Sequence, residues 1–280
     1  MTSDAVAAKD TDIVRWGTGD RLGLLVHASA TGPKSLTGMA RSMEETNARF
    51  LAPATAGYNR GETQPPLANP EGLHRNRDMV CELVRSDTAP KPVLFGHSIG
   101  GLIATHAALK LTAEGHELGG LVLYDPILHD MLDLNDPDER ASFDWDQQII
   151  REMEEAIADG RPGDGVAKFV EAWNETDWLA LPEPARAHLT GLADHILAGA
   201  VGLPGCGPNP EAISALTCPV QVIWGEHSPA FVHQAARRTV ASIATAKAHI
   251  LKDAGHMAPL MQPDRVAAVM QEFLSELDRG

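Results

Sequence analysis

Seven short apolar runs, spaced by segments of helical periodicity, set the strongest limit on what this chain can fold into. The runs are Asp12–Trp16, Leu22–His27, Arg49–Pro53, Pro92–Phe95, Gly120–Tyr124, Pro219–Trp224 and Ala248–Leu251. Several, such as Gly-Leu-Val-Leu-Tyr at 120–124, lack polar alternation, as expected of parallel strands covered on both faces. Helical patterns lie between them at Ser35–Ala48, Glu71–Ser86, Ile99–Glu114, Ala230–Ile243 and Asp264–Leu277. Strand–helix alternation of this kind predicts an α/β fold: an open, wound, mostly parallel twisted sheet flanked by helices.

One interval breaks the alternation. From Ile127 to Thr217 only helical patterns occur, at Asp146–Asp159, Val166–Asn174 and Pro184–Ala200. A structureless loop of that length would be anomalous, so the interval reads as a helical insertion. The predicted organisation is a core domain of 1–126 and 218–280, with a helical cap, or lid, of 127–217 inserted after the strand ending at Asp125. The Gly/Pro-rich stretch 202–210 marks the return to the core. Phe143, Trp145, Phe169, Trp173 and Trp178 all fall in the insertion, and one or two of them are expected to face a substrate. Residues 125–160 hold twelve acidic and two basic side chains, which reads as a solvated outer face.

The formal net charge of −15 repels phosphate backbones and anionic lipid, which argues against nucleic-acid and membrane partners. No stretch reaches the roughly 18 apolar residues of a membrane span, and the N-terminal MTSDAVAAKD is polar and acidic, with no basic n-region or apolar h-region. Cys81, Cys206 and Cys218 are an odd number without metal-ligand spacing, as expected of reduced thiols in a cytoplasmic protein. A chain of 280 residues buries a large core and needs neither disulfide nor metal to hold it.

The most chemically informative segment is Pro-Val-Leu-Phe-Gly-His-Ser-Ile-Gly-Gly at 92–101. An extended run enters a sharp turn, and a helix leaves it. The residue at the apex takes strained backbone angles, and its neighbours two before and two after must be nearly free of side chain, hence Gly96 and Gly100. Such a turn lifts the Ser98 hydroxyl above the sheet at a helix N-terminus, where developing negative charge is favoured. The Ile99 amide points to the same place.

With these features the chain resembles the α/β-hydrolase superfamily, in its capped Gly-x-Ser-x-Gly form, over nearly its whole length. Leu24–Pro33 resembles that family's strand and oxyanion loop. Arg49–Gly61 resembles its next strand and Gly-Tyr turn, and Asp253–Pro263 its C-terminal histidine loop. The resemblance implies the order nucleophile, acid, histidine, and it implies the Ser29 amide as the second oxyanion donor beside Ile99. Two positions depart from the pattern: Ala28 replaces a glycine of the oxyanion loop, and Ala54 stands where an aspartate is often seen.

His256 stands apart among 12 histidines because it follows a strand and lies in a loop that reaches over the sheet's carboxyl ends. It is expected to act as general base toward Ser98 and then as general acid. His97, His27 and His106 are read as structural. The acid is less direct. After the strand preceding the histidine strand the family pattern is Gly-x-x-Asp, but here Gly225-Glu226-His227-Ser228 ends in serine. The alternative place is the end of the strand after the serine's own helix, where Asp125 leaves a buried apolar run. Asp125 is favoured; Glu226, Asp130 and a dyad without an acid stay open.

These residues predict a serine hydrolase, requiring no metal or organic cofactor, that cleaves a small or medium ester, thioester or lactone. Other chemistry on the same scaffold stays open: acyl transfer, carbon–carbon bond hydrolysis or a cofactor-free peroxidase-like reaction. So does a ligand-binding protein with weakened catalysis. A homo-oligomer is compatible with everything in the sequence.

Overall fold

The computed structural model describes residues 12–279 apart from 44, 45, 63 and 175. The polar N-terminal stretch and part of the helix expected over Ser35–Ala48 lie outside the described residues. In chain order the strands are β1 (Ile13–Trp16), β2 (Arg21–Val26), β3 (Ala48–Pro53), β4 (Val93–His97), β5 (Gly120–Tyr124), β6 (Val220–Gly225) and β7 (Ala246–Leu251). The helices α1 (Thr37–Ser42), α2 (Glu71–Arg85) and α3 (Ile99–Ala113) precede the inserted segment. That segment holds α4 (Pro137–Ala158), α5 (Pro162–Asn174), α6 (Glu183–Gly191), α7 (Ala193–Ala200) and α8 (Pro210–Ile213). Then follow α9 (Ala230–Ser242), α10 (Ala258–Met261) and α11 (Pro263–Arg279).

The seven strands form one sheet in the order β1-β3-β2-β4-β5-β6-β7, with only β1 antiparallel to its neighbour. Side chains alternate across it as the pleat requires. Leu94, Leu121, Leu123 and Val222 join α2, α3 and α9 on one face. Val93, Phe95, Val122 and Ile223 join α1 and α11 on the other. Both faces are buried, which is why the strands read as continuous apolar runs.

Chain order reverses between β2 and β4, and ligands of wound sheets bind at such a switch point. Val26 pairs with Gly96, so the segments after β2 and β4 leave the sheet side by side. Further along, His97 pairs with Tyr124, Tyr124 with Ile223, and Gly225 with Leu251. The ends of β4, β5, β6 and β7 therefore emerge in one row. A side chain following β5 and one following β6 reach the same space, so a catalytic acid has two places to come from.

Several boundaries differ from the sequence reading. The helix expected over Ser35–Ala48 is a 3-10 turn, Pro33–Leu36, then α1, and Ala48 already begins β3. The helix expected at Asp146 starts at Pro137, where Asp136 caps it by accepting from the Asp138 and Glu139 amides at 2.9 and 3.2 Å. The single helix expected over Pro184–Ala200 divides at Gly191-Leu192 into α6 and α7. Met153, Val166, Val170, Ala193 and Ile196 give the inserted helices a small apolar centre of their own. Asn69 Nδ2 fastens the segment to the sheet domain by donating to the carbonyls of Ala198, Gly199 and Val201 at 3.0–3.2 Å. No helix of the described residues is long and apolar enough to cross a membrane.

Candidate active site

Ser98 sits between β4 and α3 with φ 58° and ψ −125°, a left-handed conformation that costs a non-glycine residue on the order of 1–3 kcal/mol. The surrounding packing enforces it. A Cβ on Gly96 would lie 2.3 Å from the Gly100 carbonyl oxygen, and a Cβ on Gly100 would lie 2.3 Å from that of Val26. The Ser98 amide donates to the Tyr124 carbonyl at 3.0 Å, and its carbonyl accepts from Gly101 and Ile127. The backbone is held on every side, and the hydroxyl is left to point into the site.

That hydroxyl lies 3.1 Å from His256 Nε2, and His256 Nδ1 lies 2.9 Å from Asp125 Oδ2. The ionised carboxylate accepts only, so the proton rests on Nδ1 and leaves Nε2 free to accept from the serine. All three side chains are buried, Asp125 completely. A buried carboxylate needs donors, and Asp125 has three. Besides His256, Gly225 N donates to Oδ1 at 3.1 Å and Ser228 Oγ donates to Oδ2 at 2.6 Å. The serine that occupies the usual acid position thus donates a hydrogen bond to the aspartate of the neighbouring strand. Asp125 has φ 46°, a second strained residue at the carboxyl edge.

The two other carboxylates weighed as the acid are engaged elsewhere. Glu226 is exposed and accepts from the Asp253 amide at 3.0 Å. Asp130 accepts from the Gly205 and Gly207 amides at 2.8 and 2.6 Å, fixing the loop that returns toward the core.

The histidine loop is held from below. Tyr124 Oη donates to the Gly255 carbonyl and His97 Nε2 to that of His256, both at 2.8 Å. Burial, reinforced by the neighbouring His256, holds the His97 pKa well below its usual value, so it is a neutral imidazole with its proton on Nε2. Above, the Trp173 ring centre lies 4.8 Å from that of His256.

The loop after β2 has its own scaffold. His27 Nδ1 lies 2.8 Å from the Ala28 carbonyl, and Nε2 accepts from the Thr55 amide at 3.1 Å. Burial holds the His27 pKa down to about 4. Tyr58 Oη accepts from the Ala30 amide at 2.6 Å, and burial pushes its pKa up to about 12. The left-handed residue of this loop is Ala30, with φ 63°, and not Ala28. Ala28 therefore adopts angles open to any residue, and the missing glycine leaves no strain there. Among the described residues, the amides of Ser29 and Ile99 have no hydrogen-bond partner, and both residues line the same recess as Ser98.

A cavity of about 470 Å³ opens over Ser98 and His256, walled by Phe169, Trp173, Leu189 and Met257. A recess of about 30 Å³ continues beneath it past Ser29, Ser98 and Ile99. Two of the five aromatics of the inserted segment, Phe169 and Trp173, line both spaces. Glu226, His227 and Asp253 bring ligand atoms within 4.8 Å of one another, but all three are exposed, as acidic groups commonly are without an ion. His129 and Asp146, which the sequence did not single out, form a buried pair in the recess wall.

The alpha/beta hydrolase family profile matches residues 24–269, most of the chain, from within β2 to within α11. The chain belongs to that family. Its fold is shared by a thermophilic esterase from Thermogutta terrifontis, solved with malate bound, at 22% identity and TM-score 0.71, with 95% of this chain and 93% of that one covered. MenH from S. aureus is similar at 15% identity and TM-score 0.73, with 95% and 98% covered. Est816, an N-acyl homoserine lactone degrading enzyme, is similar at 16% identity and TM-score 0.64, with 94% and 96% covered. No curated protein sequence matches the chain. At these identities the hydrolase neighbours speak for the fold, and what the site does must be argued from its residues.

Proposed function

We propose that the protein is a serine hydrolase that forms an acyl-enzyme on Ser98 and cleaves small or medium esters, thioesters or lactones. The observation that carries this reading is the continuous hydrogen-bond chain from Ser98 Oγ through His256 to Asp125. In the first half-reaction Ser98 Oγ bonds to the acyl carbon while His256 Nε2 takes its proton. The amides of Ser29 and Ile99 hold the oxyanion. His256 then protonates the leaving alcohol or thiol as its bond to the acyl carbon breaks. In the second half-reaction water attacks the ester on Ser98, giving its proton to Nε2, which returns one to Ser98 as the acid leaves. With a lactone the leaving alcohol stays tethered and the product is the hydroxy acid.

Asp125 keeps the proton of His256 on Nδ1 and stabilises the imidazolium that forms. The helical segment 127–217 acts as the cap, supplying Phe169 and Trp173 as apolar walls that exclude water from the oxyanion. The esterase and lactone-degrading neighbours agree with this reaction class.

The test is labelling of Ser98 by a fluorophosphonate, followed by intact mass. Wild type should label rapidly at this one serine, and Ser98→Ala should not label. A folded wild type that does not react with the probe would overturn the reading in favour of a ligand-binding protein. Product analysis in the presence of added alcohols or thiols separates hydrolysis from acyl transfer.

A further inference from the structure

The recess beside Ser98 carries a second imidazole–carboxylate pair that the proposed mechanism does not use. His129 lies in a short 3-10 turn after β5 (His129–Met131), and Asp146 lies on α4. His129 Nε2 and Asp146 Oδ2 are 2.8 Å apart, each side chain is only 4% exposed, and Gln147 Nε2 donates to the same Oδ2 at 2.9 Å. Both residues line the recess of about 30 Å³ together with Ser29, Ser98 and Ile99.

The other atoms of the pair decide what the recess wants. Among the described residues neither Asp146 Oδ1 nor His129 Nδ1 has a hydrogen-bond partner. Neither is sealed in the protein, for the sealed side-chain atoms without partners are those of His106, Trp173, Arg186 and Trp224. Each of the two atoms thus keeps some accessible surface, and both residues line the recess. A carboxylate oxygen only accepts, whereas an imidazole nitrogen accepts when neutral and donates when protonated. A hydroxyl, which both donates and accepts, satisfies Oδ1 while meeting Nδ1 in either state. A plain alkyl chain over the same atoms would strip water from Oδ1 without replacing its bond, at a cost of about 1–3 kcal/mol.

The remaining wall is apolar, with Ile127, Ile150 and Leu203. About two water-sized groups fit in a space of this volume, so the acyl chain it admits is short. We propose that His129 and Asp146 form a recognition site for a hydroxyl on the acyl part of the substrate, so that short hydroxyacyl esters are preferred over alkanoyl ones. This rests on the serine-hydrolase reading, since it assigns the recess to the acyl group.

The experiment compares phenyl 3-hydroxybutyrate, in each enantiomer, with phenyl butyrate and phenyl 3-methoxybutyrate. The methoxy ester keeps the oxygen but has no proton to donate. In wild type, kcat/KM for one hydroxy ester should exceed both controls by about tenfold to a hundredfold. Asp146→Asn turns the open acceptor into an amide and should bring the ratio toward one. His129→Gln repeats the test if that variant does not fold. An active wild type with a ratio near one would overturn the proposal and leave the hydrolase reading standing. If wild type neither labels nor hydrolyses any of the three esters, the hydrolase reading fails. Calorimetry with 3-hydroxybutyrate and butyrate then decides the recess. At least about tenfold tighter binding of the hydroxy acid, lost in Asp146→Asn, supports hydroxyl recognition by the recess apart from any acyl chemistry, and a smaller difference overturns it.

Discussion

Two buried histidine–aspartate pairs lie near Ser98, and they differ in everything but their chemistry. In the first, His256 and Asp125 stand on the ends of β7 and β5, and the far nitrogen of the imidazole meets Ser98. In the second, His129 and Asp146 stand on a turn and a helix of the inserted segment, and among the described residues the far nitrogen has no hydrogen-bond partner. Asp125 has three donors and Asp146 has two. A buried imidazole–carboxylate contact is therefore not what marks a catalytic centre. What sets the first pair apart is the strained turn that delivers a hydroxyl to the free nitrogen, and the sheet, not the inserted helices, builds that turn.

The comparison breaks most readily at Asp125. Asp125→Asn puts an amide in place of the acceptor that fixes the His256 tautomer, and kcat for ester hydrolysis should fall by about 10⁴ with the fold retained. A variant that labels with fluorophosphonate as fast as wild type would remove Asp125 from the mechanism. A sharper version uses Ser228, whose hydroxyl reaches the same Oδ2 at 2.6 Å. Adding Ser228→Asp to Asp125→Asn places a carboxylate at the end of β6 within reach of His256. The double variant should recover about tenfold to a hundredfold of the lost rate, short of wild type because the carboxylate arrives from a different angle. No recovery at all would mean that the β6 position no longer serves the histidine.

How much of this was legible in the sequence follows from how local each signal is. The Ser98 turn was legible because its constraint lies within six residues: strand, two glycines, helix. The His256 loop was legible because a strand before and a helix after place it at the sheet edge. Asp125 was legible as a candidate, since an acid ending an apolar strand must find a partner. The role of Ser228 was not, because it depends on β5 and β6 being neighbours in register, which no local pattern states. The His129–Asp146 pair was hidden for a different reason. Asp146 sits in an acid-rich stretch that reads as solvated, and only the full length of α4, set by the cap at Asp136, turns it inward. The division between α6 and α7 had a small signal, Gly191 inside an otherwise periodic run.

The two pairs also differ in what holds them when one member is lost. Removing one partner of a buried hydrogen bond leaves the other group unsatisfied. His256→Ala leaves Asp125 two donors, from Gly225 and Ser228, whereas His129→Ala leaves Asp146 only Gln147. His129→Ala should therefore destabilise the fold by about 3 kcal/mol and His256→Ala by about 1 kcal/mol. Urea midpoints at constant m-value read the difference, and the reverse order would refute the donor count. Fluorophosphonate labelling should separate the two the other way, being lost in His256→Ala and retained, if slowed, in His129→Ala.

Buried imidazoles without any carboxylate sharpen the contrast last. His27 and His97 face backbone carbonyls and amides, and burial lowers the pKa of each, that of His27 from 6.5 to about 4. A lowered folded-state pKa means that the unfolded chain binds more protons between the two values, so stability falls as pH falls. The contribution of His27 is complete above about pH 6.5 and is lost progressively toward pH 4, amounting to about 3 kcal/mol. His97 acts in the same direction. His27→Gln keeps an oxygen to accept from the Thr55 amide but does not titrate, so its stability should fall less steeply than that of wild type between pH 6.5 and 4. Urea unfolding at pH 7, 5.5 and 4 measures both slopes. Parallel slopes would mean that the neutral imidazole of His27 is not what the loop after β2 is built around, and that its backbone contacts to Ala28 and Thr55 tolerate the charge.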